Sequence, residues 1–170
     1  MEIRADLPPQ LVPVSWLLGI WRGVGVGGYP NVPEFRFSQE VTFTELPGKP
    51  FVHHLSRSWL LDDDGAEVRP LAQETGYWRP EADGSIELLL AHPTGYVEIW
   101  VGTADGAKIE LQTDAVARTT TAKDYTAGHR LYGLVKGDLL WAYDMAAMGQ
   151  PLQSHLWGRL EPVSEGQDTT

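Results

Sequence analysis

Residues 19–30 read Gly19-Ile20-Trp21-Arg22-Gly23-Val24-Gly25-Val26-Gly27-Gly28-Tyr29-Pro30. The odd-numbered positions carry four glycines and Trp21, and alternate residues of a β-strand share one face. A strand of this kind has one face almost free of side chains, which permits strong coiling and the close approach of another backbone or a flat ligand. We expect Trp21, on the same face, to plug one end of the structure that this strand begins.

A nucleotide-binding loop is the main alternative for this stretch. Residues 23–28 match the pattern G-x-G-x-x-G, but that loop must be followed by a helix whose N-terminus holds the phosphate. Here Tyr29 and Pro30 follow, with Pro33 three positions later, and none of these begins a helix. We therefore interpret the glycines as part of a strand.

The rest of the chain consists of short β-type segments separated by compact turn sequences. Turn residues such as Asp62-Asp63-Asp64-Gly65 recur about every ten to fifteen residues, and no helical periodicity is sustained. We predict an all-β protein, a ten-stranded antiparallel up-and-down β-barrel, and a barrel of this width leaves an internal cavity. The expected strands are 19–28, 35–46, 51–61, 71–79, 85–92, 95–104, 108–117, 128–136, 139–148 and 152–163.

The charge balance and the lack of cysteine limit the function classes. The 170 residues include 13 Lys and Arg and 23 Asp and Glu, which gives a formal net charge of −10. Such a chain repels nucleic acids and anionic membranes, and we expect neither as a partner. The absence of cysteine excludes disulfides, iron–sulfur clusters and thiolate-bound zinc. The first residues lack the basic start and apolar core of a signal peptide, so we expect a soluble cytoplasmic protein.

Several motifs resemble those of the nitrobindins, small haem-binding β-barrels with the calycin shape of fatty-acid-binding proteins. The similar segments are residues 19–30, 74–77, 89–95, 121–123 and 149–155, and the resemblance extends from about residue 14 to 163. It implies a barrel that holds one haem b with ferric iron and an open distal side with few polar groups. It further implies binding of nitric oxide and isomerisation of peroxynitrite to nitrate, for scavenging or sensing reactive nitrogen species. Such a reaction needs no protein acid or base, because the nitrogen dioxide fragment recombines inside the cavity.

His155 is the metal ligand that the resemblance implies. It ends the segment Gly149-Gln150-Pro151-Leu152-Gln153-Ser154-His155, which is similar to the family segment that carries the proximal haem histidine. Strand alternation alone predicts otherwise, since a regular strand places His155 on the face opposite Leu152, Leu156 and Leu160. If these leucines face the lumen, His155 faces solvent. The leucines could instead pack outside, against residues 7–18 or a second subunit, which leaves a homodimer open.

Three further cofactor-binding residues are also implied by the resemblance. Lys123 matches a Thr-Ala-Lys element and would pair with a haem propionate, with Arg130 as a weaker candidate and a solvated loop lysine as the alternative. His92 would face the distal side or hydrogen-bond a propionate, or be a turn histidine without such a role. Asn31 follows Tyr29-Pro30 where many relatives have threonine, and its amide would keep a polar contact with the haem.

The other polar candidates are interpreted as structural. His53 and His54 are neighbours in one predicted strand, so at most one of them enters the lumen. Acidic residues such as Glu74 and Glu98 are interpreted as surface charges of strands, which argues against a hydrolase that uses a pair of carboxylates. No two histidines have the spacing of a zinc hydrolase.

The sequence predicts one domain and leaves two function classes open. We expect an irregular lead-in at residues 1–13, the haem-binding barrel at 14–163 with a helical turn at its start, and a polar tail at 164–170. The competing function is a carrier of a fatty acid or another small hydrophobic ligand, because the same barrel shape would allow it. Absorbance separates the two, since a lipid carrier mixed with haem would develop no Soret band.

Overall fold

The structure, a computed structural model, describes residues 6–164, so residues 1–5 of the predicted lead-in and 165–170 of the predicted tail lie outside the described part. Ten antiparallel strands form one closed barrel in which sequence neighbours pair and the last strand pairs with the first. The predicted ten-stranded all-β barrel is confirmed. The strands are β1 Gly19–Tyr29, β2 Val32–Glu45, β3 Val52–Leu61, β4 Glu67–Pro80, β5 Ser85–His92, β6 Tyr96–Asp105, β7 Lys108–Arg118, β8 Tyr125–Val135, β9 Asp138–Ala147 and β10 Gln153–Pro162.

The hairpin turns follow from the turn chemistry of the sequence. Gly84 and Gly137 both have φ of +90°, a left-handed conformation that glycine adopts without steric cost. Lys136, the residue before Gly137, is also left-handed with φ of +53°. These tight connections hold successive strands antiparallel and produce the meander.

A 3-10 helix over Pro9–Leu17 precedes β1 and begins before residue 14, where a helical turn was expected to open the barrel. Proline is favoured in the first turn of a helix because its φ is already suitable, so Pro9 can start the helix inside the predicted lead-in. The indole N–H of Trp21 donates to the carbonyl of Leu17 at 2.7 Å, which joins the helix to the start of β1. The helix contributes four buried side chains to the core: Leu11, Val14, Trp16 and Leu17. No helix within residues 6–164 has the length and apolar character needed to cross a membrane.

The glycine face of β1 is covered by aromatic rings from β2. A Cβ at Gly25 would overlap the Phe37 ring and the Trp157 carbonyl, and one at Gly27 would overlap the Phe35 ring. The close approach expected from the glycines is therefore made by flat side chains of the protein itself. Phe35 and Phe37 also form part of the wall of the internal cavity.

Candidate functional site

An internal cavity of about 640 Å³ lies within the barrel. Its size is within the range of small-molecule and cofactor pockets, which is about 300–1,000 Å³. Large apolar side chains from several strands form much of the wall, among them Phe37, Trp59, Leu71 and Trp141. Of the residues predicted to bind the cofactor, His92, Lys123 and His155 line this cavity.

A β-bulge places His155 in the cavity. Ser154 pairs with Asp144 of β9, but Leu156 pairs with Tyr143, so His155 is an extra residue with no partner in the register. A bulge of this kind shifts the alternation of a strand by one residue. Both His155 and Leu156 therefore line the cavity. Regular alternation would have placed these two residues on opposite faces of the strand, and the bulge removes that constraint.

Among residues 6–164, only one ring nitrogen of His155 has a hydrogen-bond partner. Its Nδ1 lies 2.9 Å from the carbonyl oxygen of Gly28, and because a carbonyl can only accept, Nδ1 carries the proton. The rings of Tyr29 and Tyr143 flank the imidazole edge-on at centroid distances of 5.5 and 5.7 Å. Burial lowers the pKa of His155, with the Gly28 hydrogen bond opposing and the Lys123 charge adding to the shift. The neutral ring thus has its lone pair on Nε2, which is the form that binds a metal.

Lys123 lies half-buried on the cavity wall. Its Nζ is 3.3 Å from the Met145 sulfur and lies above the rings of Tyr96 and Tyr125, at 5.6 and 5.9 Å from their centroids. Burial lowers the pKa of Lys123, while the charge of Glu98 opposes this. A cation held by rings and a sulfur, without a carboxylate in contact among the described residues, can bind an anionic group of a ligand.

His92 lies in the cavity wall and contacts two acidic side chains. Its Nε2 lies 2.7 Å from Glu98 Oε2, and its Nδ1 lies 3.8 Å from Glu74 Oε2. The His92 ring stacks on Tyr96 at a centroid distance of 4.1 Å. Stacking on Tyr96 and the contact with Glu98 therefore fix the orientation of the His92 ring in the cavity wall.

Glu74 and Arg130 form an ion pair in the cavity wall. The two guanidinium nitrogens donate to the two carboxylate oxygens, each at 2.7 Å, and His54 Nε2 lies 3.1 Å from Glu74 Oε1. Burial alone would raise the pKa of Glu74, but the charge and hydrogen bonds of Arg130 hold it well below its usual range. The Arg130 guanidinium also lies 5.0 and 4.8 Å from the ring centroids of Trp100 and Tyr143. Arg130 is thus paired with Glu74 through its two terminal nitrogens, while its Nε has no hydrogen-bond partner among the described residues.

The comparisons with known proteins identify the family. Residues 10–161 match the model described as "THAP4-like, heme-binding beta-barrel domain". The chain belongs to this family. It is 55% identical to a "Peroxynitrite isomerase" of Nocardioides sp., over 94% of this chain and 96% of that protein. It is 50% identical to a "Ferric nitrobindin-like protein" of Kineococcus radiotolerans, over 96% of this chain and 99% of that protein. The crystal structure of Rv2717c from M. tuberculosis superposes with a TM-score of 0.84 at 40% identity, over 94% of this chain and all of that one. The predicted resemblance to the nitrobindins is confirmed.

The residues of this THAP4-like barrel fit a haem. A planar apolar group needs a hollow with apolar walls, which the cavity offers through residues such as Phe35 and Trp141. His155 Nε2 is the free imidazole nitrogen, and Lys123 and the exposed Arg57 supply cations at the cavity wall. A haem in this cavity would have apolar walls for its porphyrin, an imidazole nitrogen for its iron and cations for its propionates.

Asn31 lies apart from this arrangement. It is exposed, is not part of the described cavity wall, and its amide donates to the Met148 sulfur at 3.1 Å. Its contact with a haem remains a prediction from the resemblance alone.

The THAP4-like barrel has a more polar interior than we expected. Glu74 and Glu98 were predicted as surface charges, and this prediction is wrong, since Glu98 is only 2% exposed and Glu74 is held inside by Arg130. The signal was present in the strand parity, because Glu98 shares its face with Trp100 and Glu74 shares its face with Trp78. Both tryptophans are fully buried. At most one of the neighbours His53 and His54 was expected to enter the lumen; His54 is buried at 1% exposure and His53 is half-buried.

Proposed function

We propose that this chain binds one haem b in its cavity through His155 Nε2, and that the loaded protein binds nitric oxide and isomerises peroxynitrite to nitrate. The observation that carries the proposal is the inward, neutral His155 with Nδ1 committed to Gly28 and Nε2 free in a cavity of suitable size. The names of relatives at 46–55% identity over more than 90% of this chain support the isomerase activity.

The bound ferric haem would supply an open coordination position at which peroxynitrite reacts. The chain's own part is to bind, orient and exclude water. His155 anchors the cofactor from one side, and the Phe35 and Phe37 rings present apolar surface that keeps bulk water out. A cavity filled by the cofactor would also retain reactive fragments long enough for them to recombine.

Lys123 and His92 orient the polar parts of the ligand in this proposal. Lys123 pairs with a propionate, which compensates for the cost of burying its ammonium. His92, held by Glu98 and Tyr96, presents an edge with hydrogen-bonding capacity to the cavity. Neither residue is asked to transfer a proton, because the peroxynitrite anion and nitrate have the same composition and neither carries a proton.

Reconstitution with haem tests the proposal. The protein is expected to develop a Soret band at one equivalent of haem, to accelerate peroxynitrite decay, and to convert peroxynitrite to nitrate. The His155→Ala variant is expected to lose the iron–imidazole signature and the activity. His129→Ala is the matched control, since His129 pairs with Glu110 outside the cavity wall. If the spectrum stays that of free haem while a fluorescent fatty acid binds, the lipid-carrier function replaces this proposal.

A further inference from the structure

Tyr29 joins the end of β1 to the end of β9 through its hydroxyl group. This oxygen accepts from the backbone N–H of Ala147 and donates to the carbonyl of Met145, each at 3.0 Å, and the carbonyl of Ala147 lies 3.3 Å away as a second acceptor. Tyr29 is only 7% exposed, so these contacts are shielded from water. The hydroxyl is therefore held by a donor and an acceptor of the same strand.

These contacts take the place of strand pairing where β10 has not yet begun. β10 begins at Gln153, which lies opposite Met145 of β9. Ala147, two residues further along β9, has no strand partner on that side. β1 is the next strand beyond β10 in the barrel, and Tyr29 at its end reaches across this gap. The hydroxyl of Tyr29 thus connects β1 with β9 directly.

The same end of β1 provides the hydrogen-bond acceptor of His155. Gly28, next to Tyr29, has no partner in the register of β1 with either β10 or β2. Its carbonyl accepts instead from His155 Nδ1, at 2.9 Å. The hydrogen bond made by one imidazole nitrogen decides which nitrogen is left unprotonated for a metal. A contact that fixes Gly28 therefore also fixes the tautomer of His155.

We propose that Tyr29 is a positioning residue whose hydroxyl sets the tautomer and the direction of the His155 imidazole. This proposal rests on the proposed function, because the direction of the imidazole matters there for binding the haem iron. The hydroxyl anchors Tyr29 to β9, and the anchored residue holds the neighbouring Gly28 carbonyl in line with Nδ1. The Tyr29 ring adds an edge-on contact with the imidazole, at a centroid distance of 5.5 Å. Tyr29 is not part of the described cavity wall, so it acts through Gly28 and His155.

Tyr143 flanks the same imidazole without such an anchor. Its ring lies edge-on to His155 at a centroid distance of 5.7 Å, close to that of Tyr29. Its hydroxyl is buried and has no hydrogen-bond partner within residues 6–164. Deleting either hydroxyl leaves a ring packed on His155, but only the deletion at Tyr29 releases β1 from β9.

The experiment measures the tautomer of His155 by NMR in the full haem-free chain. Proton–nitrogen correlation spectra of histidine-labelled protein distinguish protonated from unprotonated ring nitrogens, at a pH well above about 6.5, where histidine is ordinarily neutral. The signals missing from His155→Ala identify His155. The wild type is expected to be protonated at Nδ1, although free histidine favours protonation at Nε2. In Tyr29→Phe the Gly28 carbonyl is no longer held, and the two nitrogens are expected to show intermediate shifts, as exchange between tautomers produces.

Tyr143→Phe is the matched control and is expected to keep the wild-type spectrum. Haem retention provides a second measurement on the same two variants. Loss of a group that orients a metal ligand typically weakens metal binding, so Tyr29→Phe is expected to release haem about tenfold faster than the wild type. Tyr143→Phe is expected to release it at the wild-type rate. Transfer of haem to an excess of apomyoglobin measures both rates.

A purely structural role of Tyr29 predicts a different result. Tyr29→Phe would then lower the midpoint of urea unfolding while the folded protein kept His155 protonated at Nδ1, and this result would overturn the proposal. An equal change of tautomer in Tyr143→Phe would also overturn it, since ring packing would then set the tautomer. If Tyr29→Phe is partly unfolded, trimethylamine N-oxide restores the folded form without replacing the hydroxyl, and the tautomer is measured in its presence.

The tautomer measurement is independent of haem. A tautomer that depends on Tyr29 in a chain that binds no haem would contradict the proposed function and support the positioning role. A chain that binds haem through His155 with the same tautomer in wild type and Tyr29→Phe would support the proposed function and overturn the positioning role.

Discussion

The Nδ1 atom of His155 lies 2.9 Å from the carbonyl oxygen of Gly28, and the two residues lie at irregularities of adjacent strands. The register of β1 with β2 shifts between Gly27 and Tyr29, and that of β10 with β9 shifts at His155. Bulges frequently re-aim side chains at functional sites. Together they turn an imidazole inward and give its outer nitrogen a backbone partner.

The first prediction uses this arrangement. His155→Gly removes the ring but leaves the Gly28 carbonyl in place, so free imidazole can enter the gap and donate to it. We expect the variant to lose the imidazole-ligated haem spectrum and to recover it on addition of imidazole. The measurement is a titration of imidazole followed by absorbance. A wild-type spectrum in the variant without imidazole would exclude His155 as the ligand.

The second prediction concerns the glycine face of β1. Gly25→Ala places a methyl group where the Phe37 ring and the Trp157 carbonyl now lie, and we expect it to lower the free energy of unfolding by about 1–3 kcal/mol. Gly133→Ala is the matched control, since its Cβ would meet only the Ala107 carbonyl oxygen at 3.8 Å. Urea unfolding of both variants measures the difference. Equal stability of the two variants would contradict the role assigned to this face.

The sequence predicts the fold well because its signals are local. Turn residues such as Gly84 and alternating apolar residues such as Phe37 and Phe43 mark the hairpins and the inward faces directly. The inward direction of His155 could not be derived in this way, since a bulge adds one residue to a strand and leaves no clear mark in its alternation. Resemblance to relatives supplied that residue instead.

The buried charges were missed for a different reason. Glutamate is rarely buried, so Glu98 was interpreted from its residue type although its parity with Trp100 indicated the interior. The partner that makes burial of Glu74 tolerable, Arg130, lies 56 residues further along the chain. A contact between residues so far apart in the sequence is visible only in the folded barrel.

The third prediction tests the buried ion pair. Arg130→Met removes the guanidinium and leaves the Glu74 carboxylate buried without its main partner, which is expected to cost about 3–5 kcal/mol. Adding Glu74→Gln in the same chain removes the uncompensated charge and is expected to restore much of the loss. Urea unfolding at neutral pH provides the comparison. A double variant less stable than Arg130→Met would contradict the pairing.

The fourth prediction concerns Lys123 as the partner of a haem propionate. Lys123→Met keeps much of the side-chain volume and removes the charge, so haem is expected to dissociate roughly fivefold faster, or about 1 kcal/mol, as for a partly exposed ion pair. The dissociation rate is measured by transfer of haem to an excess of apomyoglobin. Lys49→Met, in the exposed turn after β2, is the control and should leave the rate unchanged. An effect of equal size in both variants would indicate a general influence of net charge.

The last prediction is that acid destabilises the fold in two stages. Burial lowers the pKa of His54 below its ordinary 6.5, and Arg130 holds the pKa of Glu74 well below 4.5. Both groups bind protons more readily in the unfolded chain than in the folded protein. Each group therefore stabilises the fold fully at a pH above its ordinary pKa, and this stabilisation is lost as the pH falls towards its pKa in the folded protein. The free energy of unfolding should therefore decline below about pH 6.5 and again below about pH 4.5.

The His54→Gln variant separates the two stages. Its amide can still donate to Glu74 and accept from the Trp78 indole, as the two nitrogens of His54 do now. We expect a shallower decline between about pH 6.5 and pH 5, at most about 1.4 kcal/mol per pH unit less than in the wild type, and an unchanged stage below. Burial also lowers the pKa of His155, so the free energy of unfolding of the variant still declines somewhat between about pH 6.5 and pH 5. Urea unfolding across this range is the measurement, and an identical upper slope in the two proteins would show that His54 is protonated alike in the folded and unfolded states.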